Sequence, residues 1–182
     1  LSSQQGCELH PVVVDNCSRE EDRHVLREHC LKHQITYLES PANRGYAAGN
    51  NIGLRYAADH GFEFAAICNP DMEFPQKDCI KRCLSTMIAD ESIAVLAPDI
   101  VTPENAHQNP QQDGLDDFHT ILLGPWYLFK GLLCRNLPKS YAEADWQTPR
   151  YCMKVVGCFF LIRLSFFKTI GFLDEHTFLY CE

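Results

Sequence analysis

From Val12 to Ala97 the chain alternates short apolar runs with stretches of helical periodicity, and small polar residues follow the runs. Pro11-Val12-Val13-Val14 is a continuous β-branched run, the pattern of a buried parallel strand. Ile35 to Leu38, Phe62 to Cys68 and Ile93 to Ala97 read as further strands. Between them, Ser18 and Glu21 have the spacing of a capping box. The helix they would open carries Val25, Leu26, Cys30 and Leu31 on one face. Tyr46 to Ala58 is rich in alanine, a helix former, with glycines that permit close backbone approach. Gln76 to Asp90 is the clearest helix, with Ile80, Cys83, Leu84, Met87 and Ile88 along one stripe. Strand–helix alternation of this kind predicts an α/β fold, a mostly parallel sheet with helices on both faces. Ligands of such sheets bind beyond the carboxyl ends of the strands. The residues there are Asp15-Asn16, Asn43-Arg44-Gly45 and Asn69-Pro70-Asp71, three small polar groups able to converge on one site.

Past Pro98 the pattern loosens. Thr102 to Asp117 and Asn136 to Arg150 read as loops, and Phe118 to Cys134 as an apolar, partly helical segment. Its longest apolar stretch, Ile121 to Cys134, is shorter than the ~20 apolar residues a spanning helix needs, and it contains Gly124, Pro125, Lys130 and Gly131. With Lys130, Arg135 and Lys139 nearby it reads either as core packing, the preferred reading, or as a peripheral contact with an anionic membrane surface. Tyr151 to Val156 and Cys158 to Ile162 are strand-like around Gly157, Leu164 to Ile170 is a short helix, and Gly171 is placed to stop it.

The formal charge of -8 argues against a nucleic-acid partner, which calls for a basic face. It leaves room for a nucleotide, whose phosphates are held by a metal ion, backbone N–H groups and one or two basic residues. The ten cysteines include no CxxC and several lie inside apolar runs. They read as reduced, buried thiols rather than a disulfide framework, which points to the cytoplasm. GxGxxG, GxxxxGK[ST] and GxSxG are all absent, against a dinucleotide dehydrogenase, a P-loop NTPase and an α/β-hydrolase.

The motifs present occur in a fixed order: Val13-Val14-Asp15-Asn16-Cys17-Ser18, then Asn43-Arg44-Gly45-Tyr46-Ala47-Ala48-Gly49-Asn50-Asn51-Ile52-Gly53, then Asn69-Pro70-Asp71, then Gly171-Phe172-Leu173-Asp174-Glu175 with Phe178-Leu179-Tyr180-Cys181-Glu182. In this order and spacing they resemble the family 2 glycosyltransferases of the rhamnosyltransferase-like branch, from about Val12 to Glu182. The resemblance implies a GT-A fold and one glycosyltransferase domain over residues 1–182. Against the family pattern the chain is expected to be incomplete at both ends. A strand ending in a Tyr-Asn-type element would precede Val12, and the second acid of a pair begun by Glu182 would follow it.

The resemblance also assigns roles. Asp15, with Asn16 beside it, meets the N3–H edge of a uracil or thymine; read alone, an Asp at a turn before a helix is equally good local chemistry. Asn43, Arg44 and Gly45 border the nucleoside, with Arg44 reaching a phosphate; a plain turn using the positive φ of Gly45 is the alternative. Asn50 and Asn51 hold the helix and its contacts. Asn69-Pro70-Asp71 corresponds to the acidic metal motif with only its last acid kept. Asp71 is thus the ligand to Mg²⁺ or Mn²⁺ on the donor diphosphate, offsetting charge on the leaving group; Asn-Pro-Asp is also good turn chemistry. Asp174 and Glu175 line the acceptor side, with Glu182 or Asp174 in reach of a general-base role. Gly157 leaves room for a sugar, or marks a strand bulge. The implied activity is inverting transfer from a uridine- or thymidine-diphosphate sugar to a glycan or lipid-linked acceptor in cell-envelope polysaccharide assembly. The competing readings are an inactive nucleotide-binding fragment and a nucleotidyltransferase, which would normally show a Gly-rich basic loop near its start.

Overall fold

The computed structural model describes residues 3–110, 149–152 and 154–178. The chain falls into two compact units, Leu1–Pro98 with Gly157–Glu182, and Asp99–Val156. In the first, strand β1 (Val12–Asp15) leads to helix α1 (Glu20–Lys32), β2 (Thr36–Glu39), α2 (Tyr46–Asp59), β3 (Phe64–Cys68), α3 (Cys79–Ala89) and β4 (Val95–Leu96). The chain returns to this unit as β5 (Phe159–Arg163), which runs directly into α4 (Leu164–Ile170). Gly171 then ends α4 in the left-handed conformation, φ 92°.

The strands form two ladders. β1 and β2 pair in parallel, Val12 opposite Thr36 and Asp15 opposite Glu39. β5 lies between β3 and β4 and is antiparallel to both, so β3 and β4 run parallel to each other. The alternation up to Ala97 therefore gives parallel strands as expected. The antiparallel member is the late strand, which enters the sheet from the C-terminal segment. All five β5 residues are buried. Its continuous apolar sequence, Phe159 to Ile162, suits a central strand with both faces covered. α2 packs against both β1 and β3, α1 against β2, and α3 and α4 against β5. The core is Ala47, Leu54, Ile67, Ile80, Met87 and the β5 side chains.

Arg163 ends β5 and is only 6% exposed. Its guanidinium donates to the carbonyls of Ile93 (3.2 Å), Met87 and Asp90 (3.3 Å), pairs with Glu63 (3.2 Å) and lies 4.8 Å from the Phe64 ring centre. A buried charge is tolerable only when bonded in this way.

Three expectations change. The capping box does not form, because α1 starts at Glu20 with no side-chain cap, and the Ser18 N–H instead donates to Asp15 Oδ1 at 3.0 Å. The apolar face of α1 is mostly open: Cys30 is buried, whereas Val25 and Leu31 are exposed. A two-stranded sheet of four-residue strands gives that helix little to cover. Of the two strands expected around Gly157, the second forms one residue later than read; before it, the described residues carry only a bridge residue at Lys154.

In the second unit, residues 99–110 form a tight loop. Val101 bridges His107, the Gln108 N–H reaches the Ile100 carbonyl (2.8 Å), and His107 Nδ1 lies 2.7 Å from Asp99 Oδ2. The apolar segment Phe118 to Cys134 and its basic neighbours lie outside the described residues. Among the described residues, no helix is long and apolar enough to cross a membrane. The eight described cysteines are free, but only Cys30 and Cys83 are buried as read; the other six are half-buried.

Candidate functional site

The polar groups expected to converge do so at the carboxyl ends of β1 and β3, around the first turn of α2. Asn16, just past β1, donates from Nδ2 to Asn43 Oδ1 (3.1 Å) and to the Gly45 carbonyl (2.9 Å). Asn43 Oδ1 also accepts the Gly45 N–H at 3.0 Å. Tyr46, the first residue of α2, gives its hydroxyl to the Gly157 carbonyl. The next carbonyl, Cys158, accepts the Asn69 N–H at 2.8 Å. Asn16, Asn43 and Gly45 are thus bonded to one another, and the backbone at Tyr46 and at Cys158 carries the connection on to Gly157 and Asn69. Asn16 Oδ1 is buried without a partner, one of two such side-chain atoms among the described residues.

Asp71 follows Asn69 in a turn closed by the Met72 N–H on the Asn69 carbonyl (3.3 Å), and it is exposed. Among the described residues no three His, Cys, Asp or Glu side chains are grouped to hold a metal ion. A single open carboxylate fits Mg²⁺ or Mn²⁺ held mainly by phosphate oxygens and water; it does not fit a site built by protein alone. Cys68 and Cys158 lie close enough to Asp71 for its charge to push their thiols up, behind the larger effect of burial.

Asp15 has a more internal position than its assigned role implies. Its side chain is 1% exposed. Oδ1 accepts the Ser18 N–H and Oδ2 the Tyr37 hydroxyl, each at 3.0 Å, with Arg23 Nε 3.4 Å away. Burial pushes this carboxyl up, but the hydrogen bonds from Ser18 and Tyr37 and the charge of Arg23 together hold it below its ordinary value. With both oxygens taken by protein donors, the carboxylate presents no open edge to a base.

The acidic segment after α4 lies over the start of α2. The Phe178 carbonyl accepts the Tyr46 N–H at 2.9 Å. Gly45 has φ 99° and ψ 179°, and a Cβ there would collide with the Phe178 backbone. Asn51 is fully buried and clasps Leu173 with both ends of its amide: Oδ1 accepts the Leu173 N–H (3.0 Å) and Nδ2 donates to the Leu173 carbonyl (2.9 Å). Nδ2 also reaches Glu175 Oε1 (2.9 Å), which accepts Arg55 Nη2 as well (2.7 Å). Glu175 Oε2 lies 3.4 Å from Arg44 Nη2. Hydrogen bonds from Asn51 and Arg55 hold the Glu175 carboxyl low, against the upward push of partial burial. Glu175 is therefore engaged by protein groups rather than presented to an acceptor. Asp174 accepts from His176 N–H (2.9 Å) and lies 2.6 Å from its Nδ1; these bonds lower its pKa and make it a weak base. Between Arg55 and the Gly171–His176 segment is an open hollow of about 360 Å³. Glu182 lies outside the described residues.

Sequence reading gave Asn51 a helix-holding role, which its contacts bear out, but it did not find Tyr37, Arg23, Tyr46 or Arg55. Arg55 carried a signal, since it is four residues after Asn51 and so shares its helix face.

The sequence profile described as glycosyl transferase family 2 matches residues 1–171. The chain belongs to glycosyltransferase family 2. It is also 32% identical over 174 residues to the low-salt glycan biosynthesis hexosyltransferase Agl10 of Haloferax volcanii, covering 94% of this chain and 50% of that protein. The chain thus spans about half the length of that curated relative. A mannosyltransferase of Pyrobaculum calidifontis, PcManGT, solved with GDP-Man and Mn²⁺, superposes with a TM-score of 0.54 at 20% identity, over 90% of this chain and 38% of that one. At that identity the likeness speaks for the GT-A fold alone.

Proposed function

We propose that this family 2 chain carries the donor-binding part of an inverting, metal-assisted glycosyltransferase. It would move a hexosyl or rhamnosyl group from a UDP- or dTDP-type sugar to a hydroxyl of a glycan or lipid-linked acceptor. The observation that carries the reading is the joined corner Asn16–Asn43–Gly45–Gly157–Asn69, with the open Asp71 carboxylate in the turn that follows. Asn16 and the Asp15 turn form the base side, Arg44 meets phosphate, and Gly157 keeps the space before β5 free of a side chain. Asp71 is the residue that would hold Mg²⁺ or Mn²⁺, whose charge offsets that of the departing diphosphate. Glu182 would take the proton of the attacking hydroxyl, with Asp174 supporting the acceptor side. The glycan-biosynthesis relative supports a place in envelope polysaccharide assembly, which we put in the cytoplasm at the inner face of the membrane, where lipid-linked acceptors are met.

The test is calorimetric titration with UDP, dTDP and GDP, each with and without Mn²⁺, beside Asp71→Ala. GDP is included because the structural neighbour was solved with GDP-Man. Metal-enhanced binding of a nucleoside diphosphate, weakened at least tenfold in Asp71→Ala, is the expected result. Equal binding with and without metal would remove Asp71 from its role. Pyrophosphate release from a nucleoside triphosphate would make the chain a nucleotidyltransferase, and binding without any donor turnover would reduce it to a nucleotide-binding fragment.

A further inference from the structure

The contacts between α2 and the Gly171–Phe178 segment do more than bury apolar surface. A hydrophobic side chain at position 51 would fill space without choosing a register. Asn51 instead pairs with both the N–H and the C=O of one residue, Leu173, at 3.0 and 2.9 Å. That pairing admits one alignment of the segment. Glu175 repeats the selection two residues later through Asn51 and Arg55. The Phe178 carbonyl repeats it again on the Tyr46 N–H, beside a Gly45 that has no side chain to obstruct it. At the head of the same helix, Asn43 and Gly45 are bound to Asn16, and Arg44 pairs with Glu175.

We propose that Asn51 is a positioning residue, locking the Gly171–Phe178 segment to α2 so that the acids it carries and the donor-side loop Asn43–Gly45 move as one body. Glu175 belongs to the same lock and acts through Arg44 and Arg55, not by touching an acceptor. The inference rests on the reading that loop and segment serve one site. The members of the lock are hydrogen bonds and the Arg44–Glu175 ion pair, all between groups far apart in sequence, so loss of one weakens the others together. Whatever orders the loop then also orders the segment, and the coupling is reciprocal.

The experiment is amide hydrogen exchange on the full chain, alone and with UDP or GDP plus Mn²⁺, for the unaltered protein and for Asn51→Ala. In Asn51→Ala the Leu173 and Tyr46 amides are expected to exchange at least tenfold faster, while those of the β3–β5 ladder stay as they were. Nucleotide is expected to slow Leu173 exchange in the unaltered chain and not in Asn51→Ala, although nucleotide affinity changes less than about threefold. A residue that merely stabilised the fold would leave that ligand response intact, and such a result overturns the proposal. Faster exchange at Leu173 with Tyr46 unchanged overturns it too. Should Asn51→Ala fail to fold, the unaltered chain decides, because Leu173 and Tyr46 must open with one free energy and one urea dependence. If no nucleotide binds the unaltered chain, the donor-binding reading fails, and the shared opening still tests the lock.

Discussion

Replacing Gly45 by alanine tests the closest backbone approach at the site. Gly45 stands at φ 99° and ψ 179°, a region that L-residues occupy at a cost of about 1–3 kcal/mol. Its new Cβ would press into the Phe178 backbone, 2.8 Å from Cα, and the segment must move to relieve it. Movement breaks the Tyr46 N–H bond to the Phe178 carbonyl, a loss of about 0.5–1.5 kcal/mol. Together these destabilise Gly45→Ala by about 2–4 kcal/mol. Gly61 is the control: it has φ 78°, but a Cβ there meets nothing within 4 Å. Gly61→Ala therefore carries only the conformational cost, about 1–2 kcal/mol. Thermal unfolding reads the difference, at roughly 2–4 °C per kcal/mol for a chain of this size. Equal losses in the two variants would mean that the Phe178 carbonyl does not rest on Gly45, and the reasoning would fail.

Arg163→Ala should cost about 3–5 kcal/mol in urea unfolding, because the Ile93 and Met87 carbonyls lose the guanidinium that bonds them and the Asp90 carbonyl keeps only the Ile93 N–H. Glu63→Gln, whose side chain is 70% exposed, should cost less than about 1 kcal/mol; reversed sizes would show that the ion pair and not the carbonyl cage matters. Asp15 and Glu175 both have lowered pKa values when folded, so the stability they add is complete above the ordinary carboxylate range and is lost as pH falls through their folded values. Acid titration of stability should therefore be flatter in Glu175→Gln than in the unaltered chain. A hydrogen bond from Cys83 lowers the Cys79 thiol to about 7, while Cys83 is pushed up. Iodoacetamide near pH 7 should label Cys79 first among the described cysteines, and Cys83→Ala should slow it, as peptide mass mapping would show.

Much of the first unit was legible because its strands are short, apolar and bounded by polar turns. The boundaries of α4 match the reading, and α2 and β3 differ from it by no more than two residues. The place of β5 was not legible: an apolar run states that it is buried, not that it will lie between β3 and β4. Ser18 and Glu21 had cap spacing, but the Asp15 carboxylate offered the Ser18 N–H a nearer acceptor, and the helix began later. The convergence of Asn16, Asn43 and Asn69 followed from their places after strands, since such sheets bring those ends together. The inward turn of Asp15 depended on Tyr37 and Arg23, and the engagement of Glu175 on Asn51 and Arg55. Their pairing crosses elements, and no local pattern announces it.

The place of β5 has a consequence for how the chain is made. β3 and β4 leave the ribosome with their pairing edges facing a strand that is not yet translated. More than sixty residues separate Leu96 from Phe159. At about 5–20 residues per second the gap lasts for several seconds. During that time two strands wait with bare backbone, the condition under which nascent chains pair with one another or are captured by chaperones. The rate of synthesis across residues 97–158 thus sets how long this sheet stays open.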